Sequence, residues 1–89
     1  MAGVSVKMPV GASTVGGATA VAVEAATVGE ALEKAIAAEP SIRQRLYRDD
    51  GRMYAGVFVN GRNMRALDGL GTALSDGDVL RIVPPISGG

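Results

Sequence analysis

The segment from Val21 to Pro40 reads VAVEAATVGEALEKAIAAEP and contains the clearest signals for the fold. It opens with valines at alternate positions, the period-2 pattern of a half-buried strand. Thr27 and Glu30 then form a T-x-x-E capping box, in which each side chain serves a backbone N–H group at the start of a helix. The stretch therefore predicts a strand and then an amphipathic helix, from Val28 to Glu39, that ends before the proline. The apolar residues of the helix recur at helical spacing and predict one stripe: Val28, Ala31, Leu32, Ala35 and Ile36.

Another strand precedes this stretch. Val4, Val6 and Met8 alternate with polar residues, and the segment 11–17, rich in Gly, Ser and Thr, breaks the pattern as a loop. Two neighbouring strands joined by a short link favour an antiparallel hairpin.

The third predicted strand covers residues 55–60. Val57 and Val59 share one of its faces, and Phe58, the only Phe of the chain, takes the other. If the two valines face the helix, Phe58 lies on the open face of the sheet, where an exposed aromatic side chain favours a docking surface. The competing interpretation is that the phase is reversed, or that the loop after Pro9 covers the ring.

The rest of the chain predicts shorter elements and a last strand. Residues 41–48 favour one or two further helical turns, because Ile42 and Leu46 lie four apart. Asn60-Gly61 is a hairpin-turn signal, with a short partner strand expected over residues 63–66. Residues 75–78 (Ser-Asp-Gly-Asp) form a turn, and residues 79–83 alternate as the last strand.

The predicted elements follow one another as strand, strand, helix, strand, short strand and strand. A helix that follows a hairpin must cover one face of the sheet and leave the other partly open. The order predicts an α+β protein with the β-grasp fold, a mixed sheet of four to five strands with one main helix packed on one face. A chain of 89 residues has the size of one domain, which spans residues 1–89.

Composition and charge exclude several classes of function. Nine basic residues balance nine acidic ones, and a chain of zero net charge lacks the field that attracts nucleic acid or anionic membranes. The sequence has no Cys and no His, which removes thiolate nucleophiles, imidazole bases and the usual zinc sites. Asp76 and Asp78 are expected to make a turn, so no metal site is predicted. No apolar run reaches the roughly 20 residues that span a bilayer, and the first residues show no signal-peptide pattern, so a cytoplasmic protein is expected.

After the last strand the sequence reads Pro84-Pro85-Ile86-Ser87-Gly88-Gly89. Proline fixes φ and donates no hydrogen bond to a sheet, so residues 84–89 are expected to leave it as a flexible, extended arm, here named the tail. Glycine has no Cβ and fits a narrow channel. The five residues from Pro85 to Gly89 reach at most about 16–18 Å. We expect the tail to deliver the α-carboxylate of Gly89 to a partner's active site; the competing interpretation of a Gly-Gly pair is a frayed end.

Three features of the sequence resemble the family of ubiquitin-like sulfur carriers. They are the Asp76-Gly77-Asp78 turn before the last strand, the Pro-Pro-Ile-Ser-Gly-Gly end, and the Phe58-Val59-Asn60 end of the central strand. The family includes the small subunit of molybdopterin synthase, the thiamine-pathway carrier and the carrier that serves cysteine synthesis. The long segment 43–54, together with residues 70–78, looks nearest to the cysteine-pathway carrier. The tail is instead similar to that of the molybdopterin synthase subunit, so the pathway stays open.

The resemblance implies a co-substrate rather than an enzyme. In this family an adenylyltransferase related to ubiquitin-activating enzymes uses ATP and Mg²⁺ to adenylate the last glycine, here Gly89, and a sulfur donor converts the adenylate to a thiocarboxylate. A synthase then accepts the sulfur, and the carrier itself is expected to bind no cofactor. The expected partner-binding residues are Phe58, Val83, Pro85, Ile86, Ser87 and Gly88.

A second function from another class stays open. A ubiquitin-like protein modifier is joined through the same glycine to lysines of target proteins. A non-covalent β-grasp binding module explains the tail less well, because it needs no free Gly-Gly end.

Overall fold

The computed structural model describes residues 2–7, 20–53 and 55–83 of the chain. In these residues the chain forms one sheet, two α-helices and two 3₁₀ turns, in the predicted order of elements. The strands are β1 (Ala2–Lys7), β2 (Ala20–Ala25), β3 (Gly56–Val59), β4 (Arg62–Asn63) and β5 (Val79–Val83). The helices are α1 (Val28–Ala38) and α2 (Ile42–Leu46), and the 3₁₀ turns are Met64–Ala66 and Gly69–Gly71.

The five strands form a mixed sheet in the order β2-β1-β5-β3-β4. β1 and β2 make the predicted antiparallel hairpin, and β3 pairs with β5 in the antiparallel direction. β1 and β5 run parallel, with Val6 opposite Leu80. The last strand of the chain therefore lies in the middle of the sheet, and the predicted α+β architecture is confirmed.

The hydrophobic core lies between the sheet and α1. Leu32 is only 1% exposed, which confirms the predicted apolar stripe, whereas Ile36 near the end of the helix is half-buried. α2 adds Ile42 and Leu46, both fully buried, as their spacing predicts. The largest buried side chains come from every layer of the fold: Leu32, Ile42, Leu46, Leu80, Ile82, Val6, Val28 and Val57.

The capping box at the start of α1 differs from its predicted form in one hydrogen bond. Thr27 Oγ1 accepts a hydrogen bond from the Glu30 N–H at 3.3 Å, as predicted. The Glu30 carboxylate, however, accepts from the Ala26 N–H at 2.7 Å and so reaches one residue beyond the cap. Thr27 itself has the extended backbone that is usual for the residue before a helix, and a β-bridge pairs it with Ala73.

The short strand predicted over residues 63–66 is wrong in its extent. β4 ends at Asn63, and residues 64–66 turn as a 3₁₀ helix. The Asn63 side chain accepts a hydrogen bond from the Arg65 N–H at 2.9 Å and so caps the turn, which buries Met64 to 5% exposure. A continued strand would lose both the cap and the burial.

Candidate functional site

The face of the sheet that points away from α1 is the open face, and Phe58 lies on it. Val57 and Val59, its neighbours in β3, are buried on the helix side. In β5 the same alternation buries Leu80 and Ile82. Phe58 is half-buried, and the phase predicted for its strand is confirmed. The loop after Pro9, named above as an alternative cover for the ring, lies outside the described residues.

A shallow depression on the open face surrounds Phe58. It combines apolar side chains with two cations, and its lining consists of Lys7, Phe58, Asn60, Gly61, Val79, Arg81 and Val83. Val83 is half-buried at the end of β5. The structure thus brings together Phe58 and Val83, the two described members of the predicted partner-binding set.

Gly56 makes room for the Phe58 ring. A Cβ at position 56 would lie 3.2 Å from Phe58 Cε1, closer than ordinary van der Waals contact. The ring therefore extends along β3 over Gly56, which pairs with Val83 of β5. Sequence reasoning missed this glycine, although a glycine inside a strand pattern is a signal for a close approach.

Asn60 joins the end of β3 to the start of β5. Its φ is 51°, in the left-handed region that Asn tolerates better than most residues. Its backbone N–H donates to the Val79 carbonyl at 2.9 Å, and its side-chain Oδ1 accepts from the Val79 N–H at 2.9 Å. The side-chain Nδ2 also donates to Asp78 Oδ1 at 2.9 Å. The amide side chain therefore extends the ladder between the two strands by one step.

The turn from Ser75 to Asp78 ties the start of β5 to β1. Asp76 Oδ1 accepts a hydrogen bond from the Gly3 N–H at 2.7 Å. The Asp78 carboxylate accepts from the Ser75 N–H at 2.8 Å and from Asn60, and these two hydrogen bonds hold the pKa of Asp78 below its usual range. The predicted turn is confirmed, and both carboxylates act as acceptors that fix it.

β5 brings the chain to the base of the tail. Val83 is paired with Gly56 in the middle of the sheet, and residue 84 follows directly. The remaining predicted site residues lie outside the residues that the structure describes, so their roles stay predictions: Pro85, Ile86, Ser87, Gly88 and Gly89.

A second depression lies between α1 and α2, and its lining is of mixed charge. Ile36 and Tyr47 provide apolar surface, beside residues of both signs such as Glu33 and Arg43. Across residues 2–7, 20–53 and 55–83, no three Asp, Glu, His or Cys residues are grouped so as to hold a metal ion. In the same ranges no helix is long and apolar enough to cross a membrane.

Comparison with known proteins relates the chain to a family and to several relatives. Residues 12–89 match the model of the ThiS family. Small archaeal modifier protein 1 of Haloferax volcanii is 44% identical over 64 residues, which are 72% of this chain and 71% of that protein. A protein of Archaeoglobus fulgidus assigned as a sulfur carrier is 40% identical over 48 residues, 52% of this chain and 54% of its own length.

A solved structure extends the likeness over nearly the whole chain. A chain of the BexX/CysO complex from Amycolatopsis orientalis superposes with a TM-score of 0.77 at 31% sequence identity. The match covers 97% of this chain and 99% of the other. That chain therefore shares the arrangement of sheet and helix described above.

Proposed function

The chain belongs to the ThiS family, and we propose that it is a sulfur carrier whose reactive group is the α-carboxylate of Gly89. The family match extends through Gly89, and one of the relatives is assigned as a sulfur carrier. The sequence has no Cys and no His, and a carrier of this kind needs neither, because its partners perform the chemistry.

The proposed cycle begins with activation, since an α-carboxyl group with a pKa of about 3.3–3.7 is an unreactive carboxylate at neutral pH. An adenylyltransferase, which binds the ATP and Mg²⁺, transfers AMP to a carboxylate oxygen of Gly89 and releases pyrophosphate. Sulfide, or a donor at the same oxidation level, then attacks the acyl carbon, and AMP leaves. The product is a thiocarboxylate, from which a synthase takes the sulfur.

The observation that carries the proposal is the central position of β5 in the sheet. The strand ends at Val83, beside Phe58 and the depression on the open face. Six residues lie between this point and the end of Gly89, and they span at most about 20–22 Å. A partner that binds the open face therefore lies within reach of the tail.

We infer that both proposed partners, the adenylyltransferase and the synthase, dock on the open face. CysO of Amycolatopsis orientalis is known in a complex with BexX, so a relative of this fold does assemble with another protein. In this chain Phe58 offers an aromatic side chain that is half-buried and lies next to two valines, the kind of anchor that dominates interfaces.

The docking inference is tested by Phe58→Asp, with Leu70→Asp as its control. Leu70 is 47% exposed and lies on the 3₁₀ turn at residues 69–71, so the control adds the same charge elsewhere. Phe58→Asp should weaken binding to the adenylyltransferase, measured by calorimetry, and leave the far-ultraviolet spectrum unchanged. An unaltered dissociation constant would show that this face is not the interface.

A second candidate function is a protein modifier, and one observation favours it. The Haloferax volcanii relative, 44% identical, is named a modifier protein. Mass spectrometry of the protein isolated from its host separates the two functions. A mass increase that corresponds to the replacement of one C-terminal oxygen by sulfur indicates a thiocarboxylate and supports the carrier. Gly89 joined to lysines of other proteins supports the modifier.

A further inference from the structure

Lys7, Arg81 and Phe58 form one row across three neighbouring strands. In the ladder between β1 and β5, Lys7 pairs with Arg81, and in the ladder between β3 and β5, Arg81 pairs with Phe58. Paired residues point to the same face, and all three line the depression on the open face. The row therefore places two cations side by side and an aromatic ring beside the second.

The two cations occupy directly paired positions of the sheet. Neighbouring strands lie about 4.7–4.9 Å apart, and like charges directly opposite one another destabilise a sheet. Among residues 2–7, 20–53 and 55–83, no hydrogen bond or ion pair engages the side chain of Lys7 or Arg81. Arg81 is exposed to solvent, and Lys7 is half-buried.

The acidic residues nearest to Lys7 and Arg81 in the sheet either lie at a distance or already accept other hydrogen bonds. Glu24 also lies on the open face, but it pairs with Gly3, four residues and about 13 Å along the strand from Lys7. The Asp78 carboxylate already accepts hydrogen bonds from Ser75 and Asn60. The net charge of the chain is zero, so the pair of cations is a local feature and does not follow from a basic composition.

We propose that Lys7 and Arg81 select a protein partner whose docking surface places carboxylates next to an apolar pocket for Phe58. Such a surface supplies an opposite charge to each cation while it covers the ring and the adjacent valines. The apolar lining and the zero net charge favour a protein over a nucleic acid, which needs a wider basic surface. The inference rests on the proposed function, because it names the chemistry of the partner at the same face.

The proposal predicts effects of opposite sign on folding and on binding. Arg81→Glu places a carboxylate opposite Lys7, so the urea midpoint of unfolding should equal or exceed that of the parent. The same change sets like charges against each other across the interface. It should therefore raise KM for the carrier by about tenfold or more in ATP–pyrophosphate exchange, because such a juxtaposition costs more than a tenfold change in affinity. A residue with a merely structural role would lose stability and binding together.

The experiment measures KM for four proteins in ATP–pyrophosphate exchange by the adenylyltransferase of the same host, at low and high salt. They are the parent, Arg81→Glu, the conservative Arg81→Lys, and Arg45→Glu, which changes the net charge equally from an exposed position on α2. We expect Arg81→Glu to have a higher KM than the parent, and this difference should become smaller at high salt. Arg81→Lys and Arg45→Glu should keep the parental KM.

Each remaining outcome overturns the proposal. A parental KM for Arg81→Glu at low salt shows that the row does not face the partner, and an equal rise for Arg45→Glu shows general charge attraction. Retention of the parent, but not of Arg81→Glu, on immobilised single-stranded DNA assigns the row to phosphates. If the parent is adenylated while these results appear, the sulfur-carrier function stands and only the proposed role of Lys7 and Arg81 fails. If the parent is not adenylated, both proposals fail.

Discussion

Substitutions at Asn60 test how the end of β3 is joined to the start of β5. Asn60 combines a left-handed backbone, with φ of 51°, and two side-chain hydrogen bonds to the start of β5. Asn60→Gly removes the hydrogen bonds and keeps the backbone, whereas Asn60→Ala also puts a Cβ where L residues are strained. The pair of variants thus separates the two contributions.

The expected magnitudes follow from exposure and from the two hydrogen-bond lengths of 2.9 Å. A net hydrogen bond contributes about 0.5–1.5 kcal/mol, and Asn60 is exposed, so Asn60→Gly should lower the free energy of unfolding by about 1–2 kcal/mol. Asn60→Ala should cost about 1 kcal/mol more, because the left-handed conformation is unfavourable for alanine.

Urea denaturation followed by circular dichroism measures both variants. The slope of the transition should stay at the parental value, since neither change alters the surface exposed on unfolding. Equal stability of Asn60→Gly and the parent would refute a contribution from the side-chain bonds. Equal stability of the two variants would refute the backbone contribution.

Three further predictions concern stability. Leu32→Ala should lower the free energy of unfolding by about 2–5 kcal/mol, because Leu32 is 1% exposed. Leu70 is 47% exposed, so the control Leu70→Ala should change it by less than about 0.5 kcal/mol, and urea titrations of both variants check this. Thr27→Ala should cost about 1 kcal/mol through loss of the cap, and an unchanged urea midpoint would contradict it. Hydrogen bonds lower the folded-state pKa of Asp78. Its contribution to stability is therefore complete above the unfolded-state pKa and is lost as the pH falls through the folded-state pKa. In acid titrations, the free energy of unfolding of Asn60→Gly should depend less on pH than that of the parent.

Much of the fold could be predicted because its signals are local. The spacing of Leu32 and its neighbours, the alternation around Phe58 and the turn before β5 each depend on a few adjacent residues, and the structure confirms all three. The family match also confirms the resemblance to ubiquitin-like sulfur carriers.

The features that sequence reasoning missed depend on contacts between distant residues. Gly56 owes its role to the position of the Phe58 ring, and Asn60 owes its role to Val79 and Asp78, which lie 19 and 18 residues away in the chain. Lys7 and Arg81 are neighbours because β1 and β5 pair in the register that places them opposite one another. Periodicity fixes which face a side chain takes, but only the pairing of strands decides its neighbours.

One alanine added after Gly89 tests whether the α-carboxylate of that residue is the reactive group. The added residue moves the carboxylate by about 3.3–3.6 Å, as far as the separation of reacting atoms, and places a Cβ where only glycine is expected to fit. The same alanine inserted after Met1 is the control, because it adds equal mass at the other end. We expect ATP–pyrophosphate exchange to collapse only for the addition after Gly89, while both variants keep the parental melting temperature. Normal adenylation and thiocarboxylation of the C-terminally extended protein, without prior trimming, would contradict this expectation.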